Sequence, residues 1–156
     1  MTLQTGDKAP EFSLPASNGK TVSLKGLAGK KVVLYFYPND DTPGCTKEAC
    51  SFRDNISGLK AAGAEVLGVS ANDLTSHGKF IEKYSLNFPL LSDTEKTVST
   101  AYGTWGEKVV MGKTTIGMKR MTFLIDEKGK VKKVWPVVKP EGHAEEVLEA
   151  IRALKA

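Results

Sequence analysis

The sequence has few of the residues that define several large classes of protein. It contains only two cysteines and two histidines in 156 residues, which excludes a disulfide-rich scaffold and leaves few ligands for a structural metal site. No apolar run is long enough for a membrane-spanning helix, and the polar N-terminus lacks the apolar core of a secretory signal. These absences predict a cytoplasmic protein without membrane association; an organellar protein whose transit peptide has been removed is the alternative.

Arginine is scarce as well, with only Arg53, Arg120 and Arg152 among the 22 basic residues. The net charge is +4, and the lysines are interleaved with acidic residues. A nucleic-acid interface needs clustered basic residues with aromatic ones among them, and no segment has this composition. We therefore expect no nucleic-acid partner. The chain length predicts one domain over residues 1–156.

The apolar pattern predicts an α/β fold. Two short alternating segments flank Asn18-Gly19, which indicates an N-terminal β-hairpin. An apolar run over 32–37, helical spacing over 45–62 and a second apolar run over 64–70 predict a parallel βαβ unit. We also expect helices over 73–84, 95–102 and 143–154, and paired strands over 121–125 and 131–135. The sum is a central mixed sheet flanked by helices, compatible with a thioredoxin-like fold.

Both cysteines lie where the first long strand passes into the first long helix. Thr42 suits the N-cap of that helix and Pro43 its first position, so that Cys45 falls at the third. Free backbone N–H groups and the positive end of the helix favour an anion there. The thiol should therefore ionise more readily than a free one, and the thiolate is the reactive form. This placement predicts thiol redox chemistry at Cys45.

The residues before Cys45 modify a known redox spacing. Thr42-Pro-Gly-Cys45 is a C-x-x-C pattern in which a hydroxyl replaces the first thiol. No short disulfide can form, but the hydroxyl can hydrogen-bond a small oxygen-bearing substrate beside the sulfur. Pro38 ends the strand and lacks an N–H, so it can shield one side of the thiolate. The alternative is that Thr42 and Pro38 only cap the helix and shape the turn.

Cys50 follows Cys45 by five positions in the same predicted helix. Such residues are about 7.5 Å apart along the axis and point about 140° away from each other. A disulfide needs Cα atoms about 4.4–6.8 Å apart, so the pair can bond only if the first turns unwind. We infer a helix that is intact when reduced and locally unwound when oxidised. The alternative is that Cys50 is only a small buried apolar residue.

Arg120, His77 and His143 are the other candidates for a role at the thiol. Arg120 immediately precedes an apolar strand, where its planar guanidinium could contact both the thiolate and substrate oxygens. The alternatives are a surface arginine or an ion pair with Glu48. His77 and His143 have no local spacing that pairs them with the cysteines, so we expect capping or surface roles and no metal site.

At these residues the chain resembles the peroxiredoxins, most closely the bacterioferritin comigratory protein or PrxQ type. The specific part is Pro38-x-x-x-Thr42-x-x-Cys45 followed by Cys50. Segments 88–93, 105–108 and 117–126 support it. The resemblance implies a thioredoxin-like fold and a thiol-dependent peroxidase that needs no cofactor or metal. It makes Cys45 the peroxidatic and Cys50 the resolving cysteine, with Pro38, Thr42 and Arg120 completing the peroxide pocket.

The same resemblance implies the partners. Hydrogen peroxide and alkyl hydroperoxides are the expected substrates, and thioredoxin is the expected reductant, with glutaredoxin as an alternative. The disulfide would be internal to one chain, so we expect a monomer. Met121 stands where the family is expected to have a small polar residue, which predicts altered pocket polarity or reductant docking.

The rival functions are a copper-binding or thiol-sensing protein, a general disulfide oxidoreductase and a Cys-His hydrolase.

Overall fold

The computed structural model describes residues 3–136 and 138–154. Its strands are β1 Ser13–Pro15, β2 Thr21–Ser23, β3 Lys31–Phe36, β4 Ala64–Ser70, β5 Leu90–Ser92, β6 Trp105–Val110, β7 Lys113–Met118, β8 Met121–Ile125 and β9 Val131–Trp135. Its α-helices are α1 Pro43–Ala61, α2 Leu74–Tyr84, α3 Thr97–Ala101 and α4 His143–Ala153. A 3-10 turn covers Lys25–Leu27.

A five-stranded mixed sheet with the order β5-β4-β3-β8-β9 forms the centre. β3, α1 and β4 make the predicted parallel βαβ unit, and β5 continues the parallel half. β8 pairs with β3 and with β9 in the antiparallel sense. β3 is therefore the middle strand, and every residue after Lys31 in it is buried. The continuous apolar run is explained because both faces of this strand are covered.

Two apolar clusters lie on opposite faces of the sheet. Alternate residues of β3 contribute to each: Val33 and Tyr35 to the first cluster, Leu34 and Phe36 to the second. Helices α1, α2 and α4 supply the first cluster, whereas the N-terminal hairpin and α3 supply the second. The predicted mixed sheet with flanking helices is confirmed. In the part of the chain that is described, no helix combines the length and apolarity needed to cross a membrane.

The predicted elements differ from the structure at two places. Helical spacing would bury Leu154 at the end of the helix predicted over 143–154, but α4 ends at Ala153 and Leu154 is 41% exposed. The antiparallel hairpin formed by β6 and β7 was not predicted at all. Its turn residues Met111 and Gly112 both have positive φ, as a two-residue hairpin turn requires. The hairpin forms its own two-stranded sheet and exposes Val109 and Ile116, so its sequence lacks the buried apolar face that would indicate strands.

Candidate active site

Cys45 lies in the first turn of α1, as the sequence predicts. Thr42 is the N-cap residue with extended φ and ψ of −90° and 156°, and Pro43 opens the helix. The Cys45 side chain is 1% exposed, belongs to the first apolar cluster and is a free thiol. The sulfur is thus shielded from bulk water at the positive end of a 19-residue helix.

Arg120 brings a positive charge directly to this sulfur. Its Nη2 donates to Sγ of Cys45 at 3.3 Å, and its Nη1 donates to Oε1 of Glu48 at 2.8 Å. Arg120 therefore contacts the Cys45 thiol and also forms the ion pair with Glu48 that the sequence offered as an alternative. Met121, the residue after Arg120, pairs with Phe36 at the end of β3. The chain leaves the sheet toward α1 at this point, so Arg120 lies beside the start of that helix. The pairing of β8 with β3 therefore fixes the backbone next to Arg120 and with it the position of the guanidinium.

Gly44 provides the space for that guanidinium. A Cβ atom on this residue would lie 3.0 Å from Nη2 of Arg120 and 3.7 Å from Cγ of Pro140. Any side chain at position 44 would therefore crowd the group that contacts the sulfur. The glycine in the segment before Cys45 is explained by this close approach rather than by an unusual backbone angle.

Glu48 is the third member of the site. It lies one turn after Cys45 and is 0% exposed, and its Oε2 atom has no hydrogen-bond partner among the described residues. Burial raises the pKa of Glu48 to about 7, although the charge of Arg120 acts in the opposite direction. Burial also lowers the pKa of Arg120, but Glu48 and Cys45 outweigh this effect and leave it raised. Arg120 therefore stays charged between two acidic groups.

The burial of Glu48 makes stability depend on pH in a defined direction. In the unfolded chain the carboxyl ionises around its usual 4.5, whereas in the folded protein it ionises at about 7. Between these values the folded state holds a proton that the unfolded state has released, so stability falls as pH rises. Relative to Glu48→Gln, which cannot ionise, we expect the wild type to lose roughly 3 kcal/mol of unfolding free energy across this window.

Denaturant unfolding of both reduced proteins at several pH values between 4.5 and 8 checks this expectation. The glutamine can still accept the Arg120 hydrogen bond through its carbonyl oxygen, which makes it a close isostere. A difference between the two proteins that stays constant over this range would show that Glu48 ionises normally.

Thr42 and Pro38 lie at the junction between β3 and α1. The Thr42 backbone caps the helix, but its hydroxyl donates to the carbonyl oxygen of Asn39 at 3.1 Å, and no side-chain cap forms. Thr42 and Pro38 are both half-buried. Their membership of a peroxide pocket stays a prediction, since the hydroxyl is directed to the loop in this state.

Cys50 is half-buried and free, and it shares the unbroken helix α1 with Cys45. An intact helix carries the two thiols to different sides, which agrees with the expectation that they cannot bond until the first turns unwind. The role of Cys50 as the resolving cysteine stays a prediction.

The surface role expected for both histidines is wrong, because both side chains are fully buried. Neither histidine caps its helix, since the N-cap residues are Asp73 and Gly142. His143 packs at the start of α4, with Nε2 2.8 Å from Oγ1 of Thr122 and Nδ1 3.0 Å from Oε1 of Glu146. Burial lowers the pKa of His143, which favours the neutral ring. His77 lies in α2 and bonds to Asp40 and to the carbonyl of Leu91. Within residues 3–136 and 138–154, no group of three possible metal ligands is found.

The prediction for Met121 is also wrong. Its side chain is buried in the second apolar cluster, on the face of the sheet opposite to Cys45. The alternation of β8 turns Thr122, not Met121, toward the first cluster. Met121 therefore neither lines the surroundings of the thiol nor presents itself to a reductant.

Comparison with known proteins assigns the chain to a family. The AhpC/TSA family profile matches residues 5–134. A putative peroxiredoxin bcp of Coxiella burnetii is 53% identical over 148 residues, covering 95% of this chain and 98% of that protein. Peroxiredoxin Bcp of Escherichia coli K12 is 46% identical, with 96% of each chain covered.

A solved structure supports the same assignment. The Xanthomonas campestris bacterioferritin comigratory protein, which was studied for alkyl peroxide reduction, superposes with a TM-score of 0.87 at 39% identity. The match covers 93% of this chain and 92% of that one. The thioredoxin-like fold, the identities and the family profile agree with the cysteine motif, and the chain belongs to the AhpC/TSA family as a peroxiredoxin of the Bcp/PrxQ type, a peroxidase among the oxidoreductases.

Proposed function

We propose that the protein reduces hydrogen peroxide and alkyl hydroperoxides through Cys45 and is recycled by thioredoxin. The observation that carries this proposal is the 3.3 Å contact between Nη2 of Arg120 and Sγ of Cys45 in the first turn of α1. A guanidinium and a helix N-terminus on one sulfur stabilise the thiolate, which is the nucleophilic form. The alkyl peroxide activity of the Xanthomonas relative supports the organic substrates.

In the first step, the Cys45 thiolate attacks one oxygen of the peroxide. The S–O bond forms as the O–O bond breaks, the sulfur is oxidised to a sulfenic acid, and the leaving oxygen takes a proton as water or an alcohol. Arg120, the free amides of α1 and Thr42 stabilise negative charge as the O–O bond lengthens. Pro38 shields the thiolate from water on one side without adding a donor.

In the second step, the Cys50 thiol attacks the sulfenic sulfur, and water leaves as the disulfide forms. The first turns of α1 must unwind for this step because the intact helix separates the two residues. An external dithiol then exchanges with the disulfide and restores both thiols. We propose thioredoxin as that dithiol and glutaredoxin as the alternative.

The whole cycle uses one copy of the chain and no cofactor. We therefore propose a monomer with one catalytic domain, and a cytoplasmic location stays a prediction. The domain predicted over residues 1–156 includes residues 1, 2, 137, 155 and 156, which lie outside the described residues.

Peroxide consumption with reduced thioredoxin tests the proposal. We expect turnover of hydrogen peroxide and of cumene hydroperoxide that requires thioredoxin or another dithiol. Absence of turnover with any dithiol, together with stoichiometric copper binding by the reduced protein, would favour the metal-binding rival. Efficient reduction of insulin would favour a general disulfide oxidoreductase instead.

A further inference from the structure

The loop between β3 and α1 is fastened to α2 by a buried carboxylate. Asp40 stands on this exposed loop, two residues before Thr42, yet its side chain is only 4% exposed. Its Oδ1 accepts from the Tyr37 hydroxyl at 2.6 Å, and its Oδ2 accepts from the Ser76 hydroxyl at 2.7 Å. Nδ1 of His77 lies 2.8 Å from the same Oδ2. A carboxyl group that is so enclosed and has three partners is not a solvated loop residue.

His77 joins this carboxylate to the sheet. Its ring is 0% exposed, and Nε2 lies 3.0 Å from the carbonyl oxygen of Leu91 in β5. A carboxylate and a carbonyl are both acceptors, so both contacts are satisfied at once when each ring nitrogen carries a proton. Through these two contacts His77 links the loop that carries Asp40, its own helix α2 and strand β5.

Neighbouring contacts restrain the same loop. The backbone N–H of Asp40 donates to the side chain of Asn72 at 2.9 Å. Asp41 adopts a φ of 58°, which is costly for a residue other than glycine, and it accepts from Lys83 and Tyr84 at 2.8 and 2.7 Å. Strained backbone of this kind persists only where the surroundings fix it. The Asp41 contacts are exposed, whereas the Asp40 side chain is only 4% exposed.

We propose that Asp40 and His77 form a positioning pair that anchors loop 38–42 on α2 and so holds Pro38, Thr42 and the start of α1 around Cys45. Neither residue of the pair touches the sulfur; they act through the loop. The inference rests on the proposed peroxidase function. A small displacement of positioning groups lowers reaction rates strongly, and about 1 Å can cost on the order of a hundredfold.

The kinetic constants distinguish positioning from a loss of stability. For a thiol peroxidase, kcat/KM for peroxide reports the steps through O–O cleavage, whereas kcat is governed by resolution and reduction when these are slower. Asp40→Asn should therefore lower kcat/KM by about tenfold through a higher KM, with kcat within about twofold of the wild type. A smaller folded fraction would instead lower kcat and kcat/KM together and leave KM unchanged.

The test is steady-state peroxide reduction with dithiothreitol on Asp40→Asn, His77→Gln and the double variant. We expect the double variant to be no worse than the poorer single variant, because the two residues act as one unit. Asp54→Asn, the same chemical change at an exposed position of α1 away from this loop, should keep both constants within twofold. Val131→Ala, a core substitution in β9 on the other face of the sheet, controls for lost stability.

Ser76→Ala is a milder second variant, for use if Asp40→Asn does not fold. It removes only the hydroxyl that donates to Asp40, at a half-buried position. It should raise KM in the same direction by a smaller factor. An unchanged KM in Asp40→Asn or in Ser76→Ala, or an equal rise in Asp54→Asn, would overturn the positioning pair while leaving the peroxidase assignment intact. A wild-type protein without peroxide turnover would overturn both.

Discussion

Replacing Cys45 with serine is expected to abolish peroxide turnover. The hydroxyl that replaces the thiol keeps its proton at neutral pH and is a poor nucleophile, whereas the thiolate is stabilised by Arg120 and the helix N-terminus. Because Cys45 is 1% exposed and the substitution hardly changes its volume, the fold should be retained. Peroxide consumption with excess dithiothreitol measures the activity, and circular dichroism checks the fold.

Cys50→Ser is the matched control for this experiment. It keeps the attacking sulfur and removes only the proposed resolving thiol, so in the absence of added dithiol one equivalent of peroxide should still be consumed and a sulfenic acid should form on Cys45. Dimedone labelling followed by mass spectrometry detects that acid. Peroxide turnover by Cys45→Ser above that of free cysteine would contradict the assignment of the reacting sulfur.

Replacing Arg120 with methionine is expected to lower kcat/KM for peroxide by on the order of a hundred- to a thousandfold. Arg120 contacts the sulfur directly, and its half-buried guanidinium also pairs with the fully buried Glu48. Its removal also takes the cation away from Glu48, whose pKa of about 7 should rise further because burial then acts unopposed. Glu48 can accept a proton, which limits the loss of stability that an unpaired buried charge would cause.

Arg152→Met provides the comparison, since Arg152 is exposed in the last turn of α4. Its kcat/KM should match that of the wild type. Stopped-flow measurement of the oxidation step, with unfolding curves for both variants, separates the chemical effect from stability. Equal rates in Arg120→Met and the wild type would mean that the guanidinium does not support the reacting thiolate.

The sequence predicts those features that have a local or periodic cause. The buried strand β3, the helix α1 and the parallel return to β4 follow from apolar spacing, and the position of Cys45 follows from helix-start preferences. The contact with Arg120 could be proposed because the arginine stands at the start of an apolar strand. The motif resemblance then restricted the chemistry to that of one family.

Features that depend on long-range packing were missed. Glu48 lies three residues after Cys45 and four before Phe52, so all three share the inward side of α1. This helical spacing was the signal in the sequence that Glu48 is buried. His77 and His143 look like ordinary polar residues near helix starts, and their burial depends on partners that are remote in sequence, Asp40 and Thr122. The β6–β7 hairpin could not be recognised because it buries little of its own apolar surface.

Mass spectrometry of the reduced protein after one equivalent of hydrogen peroxide tests directly whether Cys45 is oxidised and resolved by Cys50. We expect a loss of two hydrogens from the intact chain and a peptide map that joins Cys45 to Cys50 within the same molecule. A protein that keeps both thiols, or that gains oxygen on Cys45 and never forms this bond, would contradict this expectation.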